Sequence, residues 1–248
     1  MSSDAALLSA AAATAVLALL HMLVPPMRRR IGSMAEGVVA SIGGGIASAY
    51  VFVHLLPELA RGNEEVAEVF GERIEVTALG EVLLFLVAFA GFLLLYGLDH
   101  WAERSGGEAG VFAVHLGVFA AYNAVITYAL PTRFRTGVGG AVLFVIAMAV
   151  HFVLSDRGLA EHYGERFART GRVVLVAALV VGYLLAWAAA PTSTTVVTTL
   201  LALLGGFVLY NVFADELPGD KRLRFPVFAG SATAYAAVLV AVTAVTEH

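Results

Sequence analysis

Eight times along the chain an apolar run of about 20 residues recurs, which is the length a helix needs to cross roughly 30 Å of hydrocarbon at 1.5 Å per residue. The runs are Ala5–Val24, Glu36–Leu56, Leu79–Asp99, Gly110–Leu130, Gly137–Ser155, Arg172–Ala190, Val196–Leu217 and Pro226–Val245. Lipid offers the backbone no hydrogen-bond partners, so each run is expected to satisfy its own amides as a helix. Only 14% of the residues are charged, against about 25% in a soluble domain, and the mean hydropathy is +0.86. The expectation is an all-α membrane protein, a bundle of eight transmembrane helices forming a single domain over residues 1–248, multi-pass in the cell membrane. The first run follows Asp4 with no Lys or Arg before it, so it reads as a retained helix rather than a signal peptide. Its expected stop is Pro25, Pro26 and the cluster Arg28, Arg29, Arg30.

Positive residues are retained on the cytoplasmic side of a membrane and therefore orient the bundle. With the N-terminus outside, 11 of the 15 Lys and Arg residues fall in cytoplasmic connections. Arg61, Arg73, Arg133 and Arg135 fall on the other side, with the acidic stretch from Glu58 to Glu81. Both termini are therefore expected outside. The glycines at 43–45 and at Gly205 and Gly206 mark the second and seventh helices as interior, serving either tight packing or a path.

Cysteine is absent, which removes disulfides, thiolate metal sites and a cysteine nucleophile. The net charge of −4 has no basic face behind it, so nucleic acid is not an expected partner. No His-Glu-x-x-His, Gly-x-Ser-x-Gly or paired-aspartate arrangement lies in the helices, and an enzyme is not expected.

Polar and ionisable side chains at membrane depth are costly and mark function by default. Near mid-depth stand Tyr122 and Asn123, His151, and Tyr210 and Asn211. Toward the ends stand His54 and Glu58 on the outer side, and His115, Ser155, Asp156, Asp215 and Glu216 on the inner side. His151 and Ser155 are four residues apart and share a helix face, with Asp156 one position round. They could offer a cation one imidazole nitrogen and oxygen ligands, or simply bond to one another. Asn123 and Asn211, with their tyrosines, would equally serve to join helices. Asp156 and Asp215 read as solvated helix ends, and His54, before Pro57 and Glu58, as an end group reaching the interface.

These residues also carry a family resemblance. The run from Gly43 to Leu59, ending His54-Leu55-Leu56-Pro57-Glu58, resembles the second helix of ZIP divalent-metal transporters. The run from Gly205 to Asp220, with Phe207, Tyr210, Asp215 and Pro218, resembles their seventh. The resemblance implies a membrane transporter for a divalent cation, working by movement of one helix group against another. It departs from the family at the transport site. Where the family has His-Asn-x-x-Asp-Gly, the chain has Tyr122-Asn123-Ala124-Val125-Ile126-Thr127; for His-Glu-x-Pro-His-Glu it has His151-Phe152-Val153-Leu154-Ser155-Asp156. The ligands it leaves are Asn123, His151 and Asp156. The path or mouth residues it implies are His54, Glu58, His115, Tyr122, Ser155, Asn211, Asp215 and Glu216. The partners implied are the lipid bilayer and a divalent cation such as zinc, iron or manganese, carried as substrate with no resident cofactor, and a homodimer is the assembly it allows. The alternative is a ZIP-fold protein that no longer transports and acts as a binding or interaction subunit.

Overall fold

The computed structural model describes residues 1–28, 33–62, 82–105, 108–190, 193–216 and 224–246. Eight helices within them are long and apolar enough to cross a membrane, and no strand occurs among the described residues. They are α1 (Ser3–Arg28), α2 (Ser33–Tyr50), α3 (Leu83–Ser105), α4 (Glu108–Thr136), α5 (Val138–Arg166), α6 (Arg172–Ala188), α7 (Thr194–Asn211) and α8 (Phe225–Thr246). The chain is thus a multi-pass helical protein by length and composition. The acidic segment expected outside lies largely beyond the described residues.

Three helices run past a proline at or just before which they were expected to end, and α5 continues beyond Ser155 to Arg166 without one. A proline lacks the N–H of the ladder and its ring crowds the carbonyl four residues back. Membrane helices nevertheless tolerate it where local adjustment meets the freed groups. α1 runs through Pro25 and Pro26 to Arg28, since both lie at the end of a 26-residue helix and few ladder bonds are lost. α2 does not stop at Pro57. A π-helical turn over Val51–Leu55, in which the Leu56 N–H reaches the Val51 carbonyl, widens the helix just before the proline, and helical residues continue to 62. α4 passes Pro131 and ends only at Thr136. Arg133 and Arg135, expected in a loop, therefore belong to that helix. Two further π-turns, Phe167–Gly171 and Val212–Glu216, precede α6 and follow α7.

The helices associate as one group of four and two pairs. α1, α4, α5 and α6 pack on one another, while α2 lies along α8 and α3 along α7. Contacts of α2 with α5, and of α4 with α3 and α7, join the sets. Without a hydrophobic drive between helices in lipid, close backbone approach must supply much of the attraction. Glycines permit it at fixed points. A Cβ on Gly206 would strike the Ala88 carbonyl of α3, one on Gly182 the Ala124 carbonyl of α4, and one on Gly45 the Phe228 carbonyl of α8. At Gly45 and Gly206 the packing role of glycine is therefore met. Polar links reinforce the seams: the Thr127 hydroxyl donates to the Leu179 carbonyl at 2.8 Å, and Tyr235 to the Leu143 carbonyl at 3.0 Å.

Candidate functional site

Three polar clusters sit within this bundle, one near its middle and two toward its ends. The middle one is the most enclosed. Asn123 of α4 and His151 and Asp156 of α5 are all buried, and Asp156 is 0% exposed. This corrects the reading of Asp156 as a solvated helix end: α5 continues to Arg166, so Asp156 lies inside it. What holds the carboxylate there is His21 of α1, which sequence reasoning passed over. Its Nδ1 lies 2.7 Å from Asp156 Oδ2, and its Nε2 lies 2.9 Å from Asn123 Nδ2. The amide donates to Nε2, so that nitrogen is the acceptor and Nδ1–H donates to the carboxylate; the tautomer is assigned from these bonds. The ring of Phe152 stacks on His21 with centroids 4.6 Å apart. Asp156 Oδ1 is buried with no hydrogen-bond partner among the described residues.

Asn123 and Asp156 thus meet on His21. His151 stands beside them rather than between them. Its Nε2 is 3.2 Å from Ser155 Oγ, one turn along the same helix, and its ring packs 5.2 Å from that of Tyr122. The Tyr122 hydroxyl points instead to Met148 Sδ at 3.5 Å. Among the described residues no three His, Asp or Glu side chains gather as a ready metal-ligand set.

The second cluster joins four helices. His115 Nε2 of α4 lies 2.7 Å from Asp99 Oδ1 of α3, and its Nδ1 lies 2.6 Å from the Tyr163 hydroxyl of α5. Tyr210 of α7 donates to Asp99 Oδ2 at 2.6 Å. His115 and Asp99 keep 22% and 34% of their side-chain surface exposed, so this cluster is less enclosed than the first.

The third cluster lies where α2 and α4 finish together. Arg133 Nη1 pairs with Glu58 Oε1 at 2.6 Å, and the guanidinium carbon stands 4.6 Å over the ring of Phe144. Arg133 is buried while Glu58 is one-third exposed. His54, expected as an end group at the interface, lies within the continuing helix with Nε2 3.6 Å from Glu58 Oε2, and its ring packs against Tyr50. Glu58 and Arg133 line a cavity of about 230 Å³, together with Arg61, Thr132, Thr136 and Thr198 among others. Asn211 is buried in α7, and Asp215 and Glu216 fall in the π-turn after it, with side chains outside the described set.

Two of the missed residues carried a signal. His21 is an ionisable side chain inside an apolar run, three residues before its expected end, which the cost of burial alone should have flagged. Arg133 falls beyond the fourth apolar run, which ends at Leu130, whereas the helix continues through Pro131 to Thr136. No protein-family model, curated protein or solved structure matches the chain.

Proposed function

We propose that the chain is a ZIP-like membrane transporter for a divalent metal cation, with both termini outside and a reduced transport site in its fourth and fifth helices. The observation that carries this reading is the Asp156 carboxylate, wholly enclosed at membrane depth, bonded to His21 and within one imidazole of Asn123. A carboxylate in such a place is expensive, and function is its usual justification. The packing supplies a second support, since the site lies inside the group of α1, α4, α5 and α6, and could be exposed to either side if that group moved against the α2–α8 and α3–α7 pairs. The motifs of the second and seventh helices point the same way. The cation is cargo, drawn from zinc, iron and manganese.

The test is uptake into vesicles carrying the purified full chain. Saturable accumulation of one of these ions is expected in the wild type and should vanish in Asp156→Ala, while His54→Ala should retain it. A folded wild type that moves none of the three would overturn the reading. One observation favours the alternative of a non-transporting binding or interaction subunit: both ring nitrogens of His21 are engaged by protein groups, as in a static polar joint between α1, α4 and α5. That joint would leave uptake absent in the same vesicles.

A further inference from the structure

We infer that the cavity at the end of the bundle where the continuation of α2 and α4 finish and α7 begins is a binding site for a phosphate group, with Arg61 and Thr198 as its donors. The site shares no residue with the cluster of His21, Asn123 and Asp156, and it stands or falls without the cation-transport reading.

The space is there. The cavity holds about 230 Å³, below the roughly 300–1,000 Å³ of sites that take a whole drug-sized molecule, so it suits a small polar group and the start of a chain. Gly62 draws α2 and α7 together at one wall, since a Cβ there would stand 2.8 Å from Thr198 Cγ2.

Charge sets the sign of the ligand. Two arginines and one glutamate line the cavity, an excess of one positive charge among the lining residues. The glutamate shows the cavity little of its own charge: Arg133 Nη1 holds Glu58 Oε1 at 2.6 Å, and Oε2 is enclosed, 3.6 Å from His54 Nε2. α7 begins at Thr194, one turn before Thr198, so the positive end of an 18-residue helix is turned to the same end of the bundle. That balance favours an oxyanion over a cation.

Donor geometry and depth narrow the class. A guanidinium is a planar fork that matches two oxygens of a phosphate, and Arg61 brings one to the rim, where it is exposed. Thr198 brings a hydroxyl from α7. Thr136 is no donor here, because its hydroxyl donates to the Arg133 carbonyl at 3.0 Å. Arg61 and Thr136 lie at the ends of the apolar spans Gly37–Gly62 and Gly110–Thr136, and Thr198 lies in the first turn of Thr195–Ala214. Deeper along the same helices the wall is Leu55 and Leu201. Polar groups thus stand at headgroup depth and apolar ones where a chain would begin, as in the basic pockets between membrane helices that hold lipid headgroups. A lipid headgroup and free phosphate offer the same chemistry to these donors.

The experiment is calorimetric titration of the purified, delipidated full chain in a maltoside detergent, which carries no phosphate. The titrants are inorganic phosphate, dihexanoyl phosphatidylglycerol and dihexanoylglycerol, the last having the chains without the phosphate. One equivalent of a phosphate-bearing titrant should bind. Arg61→Gln, a change at an exposed side chain, should weaken it by about tenfold or more, and Thr198→Val by about tenfold. Glu58→Gln should tighten it severalfold, because a negative charge leaves the wall and Arg133 is released from its partner; a misfolded variant cannot mimic a gain. Phosphatidylglycerol binding more tightly than phosphate, with the same response to the variants, makes the source a lipid, and equal affinities make it the free ion. The inference is overturned if neither phosphate compound binds, if dihexanoylglycerol binds as well as phosphatidylglycerol, if Arg61→Gln binds like the wild type, or if Glu58→Gln brings no tightening.

Discussion

Removing the acid of the Glu58–Arg133 pair should cost the bundle more than removing the base, although both changes delete the same contact. Arg133 keeps only 8% of its side-chain surface exposed, and Glu58 keeps 33%. Glu58→Gln leaves a nearly enclosed guanidinium whose Nε already has no hydrogen-bond partner among the described residues. Stranding a buried charge costs about 3–5 kcal/mol. The glutamine oxygen can still accept one bond, so the lower end, about 3 kcal/mol, is expected. Arg133→Met instead leaves a carboxylate one-third exposed beside the cavity, its enclosed Oε2 3.6 Å from His54 Nε2, and keeps an apolar stem against Phe144. Its cost should be about 1 kcal/mol, the scale of an exposed pair with its cation–π contact. The double variant should return close to Arg133→Met alone, because no stranded charge remains. Chemical unfolding in mixed micelles, followed by the fluorescence of Trp101 and Trp187, measures all four proteins. If Arg133→Met proves as damaging as Glu58→Gln, or the double variant is no better than Glu58→Gln, the burial argument for this pair is wrong.

Gly206→Ala should destabilise by about 1–3 kcal/mol or more, since its Cβ meets the Ala88 backbone and the helices must part; Gly205→Ala, which meets only leucine side chains at 3.4–3.5 Å, should be nearly neutral in the same unfolding assay. Single cysteines at Ala60 and His162, both exposed in a chain with no native cysteine, should react with an impermeant reagent from opposite faces of sealed vesicles, and reaction from one face would refute the topology. A cycle of Asp99→Asn and Tyr210→Phe should give a coupling of about 1 kcal/mol, the low end for a hydrogen bond to a charged group because Asp99 is partly exposed.

The helices were legible because lipid imposes one requirement along the whole chain, and an apolar run of sufficient length answers it. Their ends were less so. A proline signals a stop in water, but at Pro57 a π-turn absorbs it and at Pro131 the helix simply continues, and each extension moves a charged residue from a loop into the bundle. The site was half legible. Asn123 and Asp156 stood out against their helices, but the residue that joins them lies more than 100 positions away, in a helix with no other strong polar feature. Sequence spacing within one helix could show that His151 and Ser155 share a face, and they do bond. It carries no information on which side chain of α1 faces α4 and α5. That pairing is set by tertiary packing, which periodicity does not encode.

The fourth helix ties these features together. His115 and Arg133 stand about 27 Å apart along it, 18 residues at 1.5 Å each, which is close to the full thickness of the hydrocarbon. At one end it is bonded to Asp99 of α3 and at the other to the helical continuation of α2 at Glu58, both outside its own group of four helices. Asn123 lies between, about 12 Å from the first anchor and about 15 Å from the second. A helix set that carries a cation past the other must release one anchor while the second holds, or the site would open to both sides together. On the transport reading the two polar pairs are therefore the parts that alternate, and Glu58→Gln should alter the rate of uptake without altering the equilibrium affinity for the cation. A change in affinity with no change in rate would mean that the pair only staples α2 to α4.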